Sequence, residues 1–353
     1  MPQAISETSS AITRSAIAST LPNIRNMIRD NVSDTTPLLS FLMGKLGGQA
    51  RQLAGFAGDT GDGLPGVIVG GRDIMVPVQL TENTTISSYA GADPIDITNQ
   101  DTDDYALFPI RQVAGSATFI GRDIRGNKGK SAIYNLVLSK TNRLTEDMRM
   151  ELNRQAVSDG TGNGGKDVMG LAGIVSTGTL ANISPTTSPR WQPGGYPSAG
   201  NFANNRHGIA SSVTFSSAGL DTMRQMMNRL TFGTDGPDGI FMSAHVWSSY
   251  ADLLEGNIRY TDVAVGDATF RAMTYMGVKV YFDHAIPNVA ALGFCYFLNS
   301  RHIAFQRDTE ADFAWLDEGV RPATQDVLAK IMIVEGNVVT DNRRMLGVIN
   351  AIT

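Results

Sequence analysis

The sequence predicts an α+β protein, on the strength of one strand-rich stretch, one long amphipathic helix and a second unit of mixed elements. Alternating apolar residues over Ile74–Leu80 predict a strand. Apolar residues spaced by three and four positions between Ser131 and Ser158 predict the helix. After residue 212 the order of helices and strands is irregular, which favours α+β over a regular strand–helix–strand series.

Residues 72–120 are expected to form a long, hairpin-like excursion. The apolar face of its first strand comprises Ile74, Val76, Val78 and Leu80. Ile95 and Ile97 alternate likewise, and Tyr105–Ile120 is extended again. The acidic turn between them contains Asp101, Asp103 and Asp104. A projecting two-stranded ribbon is only marginally stable alone, so we expect its apolar face to pack on another subunit.

The predicted helix and the segments around it complete the first half of the chain. The apolar stripe of the helix comprises Ile133, Val137, Leu144, Met148, Leu152 and Ala156. Its outer face carries charges, and Gly160 is placed to end it in a left-handed conformation. Residues 1–71 resemble an arm of short helical pieces, two of which start near Pro22 and Pro37. A long surface loop is expected at 178–212.

The second unit is predicted from shorter patterns. Helices are expected at 220–230 and over Ala244–Glu255, and strands over Ile240–Ser243, Val278–Asp283, Phe294–Asn299, Val327–Val339 and Met345–Ile352.

Composition narrows the function classes. Only 18% of the residues are charged, below the roughly 25% of typical soluble domains, which suits extensive contact with neighbours. A net charge of -5 argues against a protein whose main task is to bind nucleic-acid phosphates. Cys295 is the only cysteine, which excludes an internal disulfide. No apolar run is long enough for a membrane span and no secretory signal is visible, so folding in the cytoplasm is expected.

Motifs for catalysis or cofactor binding are incomplete. Gly61, Gly63 and Gly66 match GxGxxG, but Pro65 lies inside the motif and no strand precedes it. The segment 160–166 follows a helix and lacks the hydroxyl of a phosphate-binding loop, and 124–131 lacks its first glycine. The four histidines have no metal-ligand spacing. We therefore expect no catalytic site, cofactor or metal.

The predicted long helix ends in the phrase QAVSDGTGNGGKDVMGLAGIV, with Ser158–Gly162 followed by Gly170 and Leu171. In this phrase above all, the chain resembles the Hong Kong 97-type major capsid proteins of tailed bacteriophages. AHVWSSYADLLEGNIRY and Met276–Val280 also resemble that family. The resemblance covers about Arg72 to the C-terminus.

The resemblance implies an arm at 1–71, an extended loop at 72–120, a peripheral domain at 121–211 and 326–353, and an axial domain at 212–325. It also implies pentamers and hexamers in an icosahedral virion shell around double-stranded DNA, with a separate scaffold, a portal and in some cases a cement protein. Contact with DNA is expected to be diffuse. The expected assembly interface comprises Ile74, Val76, Val78, Leu80, Tyr89, Asp101, Asp103, Asp104, Arg143, Asp147 and Arg154.

Some members of that family cross-link a hairpin lysine to an asparagine beside a glutamate. Here no lysine lies between Lys45 and Lys128, and no asparagine lies near Asp326–Lys330, although Glu335 stands where the glutamate is found. We therefore expect a noncovalent shell. The alternatives are an encapsulin-type compartment and, more remotely, a nucleotide-binding enzyme that uses a glycine loop.

Overall fold

The computed structural model describes residues 36–44, 67–68, 70–126, 136–194, 209–211, 213–255, 273–288, 293–316 and 324–352. These residues form two compact units. The described part of the smaller unit lies within 113–151 and 310–334, and that of the larger unit lies within 36–112, 152–309 and 335–352. Helices and mixed sheets occur together, which confirms the predicted α+β class.

The elements are numbered along the chain. The helices are α1 (Pro37–Leu42), α2 (Gly121–Gly126), α3 (Leu136–Val157), α4 (Leu171–Ile174), α5 (Leu220–Leu230) and α6 (Ala244–Glu255). The strands are β1 (Val67–Ile68), β2 (Asp73–Gln79), β3 (Asp103–Pro109), β4 (Arg111–Ile120), β5 (Ile209–Ser211), β6 (Gly239–Met242), β7 (Met273–Tyr275), β8 (Val278–Phe282), β9 (Gly293–Leu298), β10 (Ile303–Asp308), β11 (Ala314–Trp315), β12 (Val327–Thr340) and β13 (Gly347–Ile352).

A six-stranded mixed sheet forms the core of the larger unit, in the order β5-β13-β9-β6-β8-β7. The central strand β6 is buried at every position, because its neighbours β8 and β9 flank it and helices pack on the sheet. Helix α5 contacts β13, and α6 contacts β8 and β9. Met223, Met227 and Leu230 bury one face of α5, as their three- and four-residue spacing predicts.

In the second sheet of the larger unit, β10 pairs with β1 in parallel orientation and with the end of β12 in antiparallel orientation. Helix α1 lies in the core of the same unit, where the Phe41 and Phe241 rings meet edge to face at 5.1 Å. Two amides of its first turn are also bound: Leu38 N donates to Asp283 Oδ2 (3.1 Å), and Leu39 N donates to Asn153 Oδ1 (3.0 Å). This part of the expected arm therefore packs on its own chain, not on a neighbour.

The smaller unit is a sheet covered by the first part of α3. Strand β12 pairs with β11 and with β4. At Gly115 of β4 a Cβ atom would lie 2.9 Å from Leu144 Cδ1 and 3.1 Å from Met148 Cγ, so the strand and the helix approach closely. Phe119 and Met148 are buried between them, and the Lys140 amine lies 5.5 Å from the centre of the Phe119 ring.

Helix α3 confirms the predicted stripe where it is described. Met148, Leu152 and Ala156 are buried, and Leu144 is half-buried. Ile133 and the side chain of Val137 lie outside the described residues.

The end of α3 explains the glycines of the most specific sequence phrase. The helix ends at Val157, and Gly160 has a left-handed φ of 75°, as expected. At Gly170 a Cβ atom would lie 2.3 Å from the Gln155 carbonyl oxygen and 2.4 Å from that of Ser158. Only a glycine lets the chain return this close to the end of the helix.

The expected domain bounds stay a prediction, and two further observations bear on them. The hairpin ends at Pro109, and most of β4 belongs to the sheet of the smaller unit. Strand β13 joins the six-stranded sheet, where it pairs with β5 and β9, although it was expected in the peripheral domain. Conversely, β10 and β11, which were expected in the axial domain, pair with β12.

Candidate assembly surface

Strands β2 and β3 form the base of the hairpin. Their antiparallel register runs from Asp73 opposite Pro109 to Gln79 opposite Asp103, and Leu80 N continues the ladder to Thr102 O (3.0 Å). Among the described strands β2 pairs only with β3, and Pro77 is accommodated because an edge strand does not require every amide. The base therefore projects residues 81–102 as a tip.

The apolar side chains of the first hairpin strand, Ile74, Val76, Val78 and Leu80, are buried within the chain itself. Their expected part in an assembly interface stays a prediction. The segment 178–194 contacts the hairpin at two other positions. Leu107 N donates to Ala181 O (3.1 Å), and the Arg190 guanidinium forms an ion pair with Glu82.

A buried arginine holds this segment in place. Arg343 has no solvent exposure, and its Nε atom donates to Ile174 O (2.8 Å). Its Nη1 atom donates to the carbonyls of Gly178 and Trp191 (both 3.2 Å), and its Nη2 atom donates to Ser176 O (2.5 Å). Burial lowers the pKa of Arg343 to about 10, so the side chain stays charged at neutral pH. Sequence patterns gave no indication of this cluster.

Local turns shape the tip. The carboxylate of Asp96 accepts hydrogen bonds from Thr98 N (2.9 Å) and Thr98 Oγ1 (2.6 Å), and these bonds lower the pKa of Asp96. The side chain of Asn83 accepts the same pair of bonds from Thr85. Because such turns use side chains in place of a strand ladder, the predicted strand at Ile95 and Ile97 does not form.

The tip exposes large apolar side chains. The exposed fractions are 83% for Ile86, 62% for Tyr89, 60% for Ile95 and 93% for Ile97. Single exposed apolar residues are ordinary, but four on one short projection indicate an interaction surface. The interface expected from the sequence included Tyr89 and none of the three isoleucines. The signal in the sequence was a set of isolated apolar residues in a polar segment without regular alternation.

The tip and its base are also acidic. Asp101, Asp103 and Asp104 are exposed as expected, and no Lys or Arg occurs between Arg72 and Arg111. The charged residues that were expected on the outer face of α3, Arg143, Asp147 and Arg154, are likewise exposed. They lie on the helix and not on the hairpin, so the structure of one chain leaves their part in an interface as a prediction.

The glycine-rich motifs considered for nucleotide binding differ in whether the structure describes them. Residues 61–66 and 127–131 lie outside the described residues. The loop 160–166 follows the helix α3 and not a strand. Within the described part of the chain, no group of three or more His, Cys, Asp or Glu side chains is arranged so that it could hold a metal ion. The described helices include none with the length and apolar character of a membrane span.

No protein-family model and no curated protein matches the chain. Solved structures do. A subunit of the Cyanophage A-1(L) capsid asymmetric unit is 14% identical with a TM-score of 0.63, and the alignment covers 94% of this chain and 97% of that one. The capsid of a native GTA particle gives 12% identity and a TM-score of 0.58, with 99% and 100% covered.

The capsid of Myoviridae Phage XM1 gives 9% identity and a TM-score of 0.52 over the full length of both chains. Identities this low are evidence for the fold alone. The similarity includes nearly all of the chain, hairpin and both units together. The chain therefore has the fold of bacteriophage capsid proteins.

Proposed function

We propose that this chain is the major capsid protein of a bacteriophage, a structural subunit that assembles into a closed shell. The exposed apolar tip of the hairpin is the observation that carries the proposal. A tip of this kind is unfavourable on a monomer, since burial of each large apolar side chain is worth about 1.5–3 kcal/mol. A neighbouring copy that covers the tip recovers this free energy at every contact of the lattice.

The expected partners follow from a closed shell. The subunits form pentamers and hexamers. A closed icosahedral shell of about sixty copies can be built from pentamers alone, whereas a larger shell requires hexamers as well. Double-stranded DNA fills the shell and contacts it diffusely, in keeping with the net charge of -5. A separate scaffold assists assembly, and a portal joins the shell, with or without a cement protein. The subunit itself has no catalytic role.

The test is assembly of the purified chain, measured by sedimentation velocity and negative-stain electron microscopy. The wild type is expected to form closed particles, with a scaffold protein supplied if needed. The double variant I86S/I97S is expected to stay as small oligomers, because it removes the two most exposed apolar side chains. Its thermal unfolding should match that of the unassembled wild type, since neither residue is buried in the subunit.

The matched control is S87A/S88A, which changes two exposed polar residues of the same tip. This variant should assemble as the wild type does. Particle formation by I86S/I97S at the wild-type rate would overturn the role of the tip. A wild-type chain that never forms particles would overturn the proposed function.

A further inference from the structure

The side chain of His302 lies between two carboxylates. Its Nδ1 atom is 2.8 Å from Asp341 Oδ1, and its Nε2 atom is 3.0 Å from Asp235 Oδ2. The His302 side chain is only 19% exposed. Both distances are those of good hydrogen bonds, and both acceptors are groups that ordinarily carry a negative charge.

This geometry requires a proton on each ring nitrogen. A neutral imidazole has one N–H donor, so one of its nitrogens would present a lone pair to a carboxylate oxygen about 3 Å away. The imidazolium ion donates to both carboxylates and forms two charge-assisted hydrogen bonds. The cluster is therefore complete only in the protonated state of His302.

The other charged and polar groups around the cluster are consistent with that state. Asn299 Nδ2 donates to Asp235 Oδ1 (2.9 Å), and the Arg301 guanidinium is 3.9 Å from the same oxygen. The neighbouring Asp238 carboxylate accepts a hydrogen bond from Ser300 N (2.8 Å). Burial opposes the charge on His302, but the hydrogen bonds and charges of Asp341 and Asp235 outweigh it and raise the pKa of His302.

The three residues join three separate turns of the larger unit. Asp235 lies in the turn before β6, His302 in the turn between β9 and β10, and Asp341 directly after β12. At the second and third of these turns the chain passes between the six-stranded sheet and the sheet of β10 and β12. The cluster thus ties both crossings to each other.

We propose that Asp235, His302 and Asp341 form a protonation-dependent lock on the junction between the two sheets of the larger unit. Below neutral pH the lock is closed. Loss of the second proton from His302 leaves one carboxylate without a donor and opens it. This device belongs to the subunit and does not depend on assembly.

The direction of the pH effect follows from the shifted groups. Because the folded-state pKa of His302 is raised, its contribution is fully present below the unfolded value of about 6.5 and is lost as pH rises through the folded value. The pKa of Asp235 is lowered in spite of its partial burial, through hydrogen bonds from Asn299 and His302. Its contribution is lost only in acid, as pH falls through that lowered value. The lock is therefore most stable in the mildly acidic range.

The test compares the urea midpoint of unfolding of the full chain with that of H302Q at pH 6 and pH 9. The urea midpoint of the wild type should be higher than that of H302Q at pH 6, and the difference between the two midpoints should be at least halved at pH 9. H245Q is the control for a histidine replacement outside these turns, since His245 lies on α6. A difference between wild type and H302Q that does not change with pH would overturn the lock.

A measurement on the wild type covers the case in which H302Q does not fold. The chain has four histidines, so nitrogen-15 labelling of histidine alone gives a simple spectrum. At about pH 6.5, the ordinary pKa of histidine, both ring nitrogens of His302 should show mainly the shifts and attached protons of an imidazolium ion. A single neutral tautomer of His302 at that pH would contradict the proposal.

Discussion

Replacement of Arg343 by methionine should destabilise the subunit strongly. The methionine side chain has a similar length and fills much of the same space, but it has no donors. Four backbone carbonyls would lose their hydrogen-bond partner, those of Ile174, Ser176, Gly178 and Trp191. Because the site is fully buried, water cannot replace the guanidinium without opening the segment 174–191.

The magnitude follows from these contacts. An unsatisfied buried acceptor costs about 1–3 kcal/mol, so four of them cost about 4–12 kcal/mol. Removal of the buried charge recovers several kcal/mol of desolvation free energy. The expected net loss in the free energy of unfolding is therefore about 2–5 kcal/mol.

Urea unfolding of R343M, followed by circular dichroism, measures this loss. The neighbouring substitution R344M is the control, because Arg344 is half-buried and its guanidinium lies 3.4 Å from the centre of the Phe232 ring. Loss of that cation–π contact should cost only about 1 kcal/mol. The loss of even one acceptor's partner should cost at least about 1 kcal/mol. If the free energy of unfolding of R343M differs from that of the wild type by less than this amount, the bonding scheme around Arg343 is wrong.

Three more predictions concern the subunit and the particle. G170A should lose about 1–3 kcal/mol in urea unfolding, because its Cβ would clash with the end of α3; an unchanged midpoint would contradict the close approach. F41A should lose about 3–5 kcal/mol in the unassembled subunit, since Phe41 is in the core of its own chain; a loss seen only in particles would place α1 on a neighbour. Boiled particles should run as a single band of subunit mass on denaturing gels, because the hairpin has no lysine for a cross-link; a covalent ladder would refute this.

The elements that sequence patterns predicted are those with a strong local period. Helix α6 has the bounds expected from the sequence, and β2 alternates buried and exposed residues along its whole length. Both patterns are set by residues close in the chain. The prediction of a strand at the tip of the hairpin was wrong because it also relied on a local pattern. Ile95 and Ile97 alternate in the sequence, but no strand forms there in the described residues.

Contacts between distant residues could not be predicted. His302 is 67 residues from Asp235 and 39 residues from Asp341, and nothing in the spacing of the four histidines indicates that cluster. The hydrogen bond from Leu107 N to Ala181 O joins the hairpin to a segment whose Gly, Pro and Ser content predicted only a surface loop. An apolar strand face such as that of β2 predicts burial but does not identify the partner that covers it.

Cryo-electron microscopy of particles formed by the purified chain tests the central claim most directly. The density should show a closed icosahedral shell in which Ile86, Tyr89, Ile95 and Ile97 of each copy are buried against an adjacent copy. Particles in which these four side chains face solvent would contradict the account, even if the shell itself were closed.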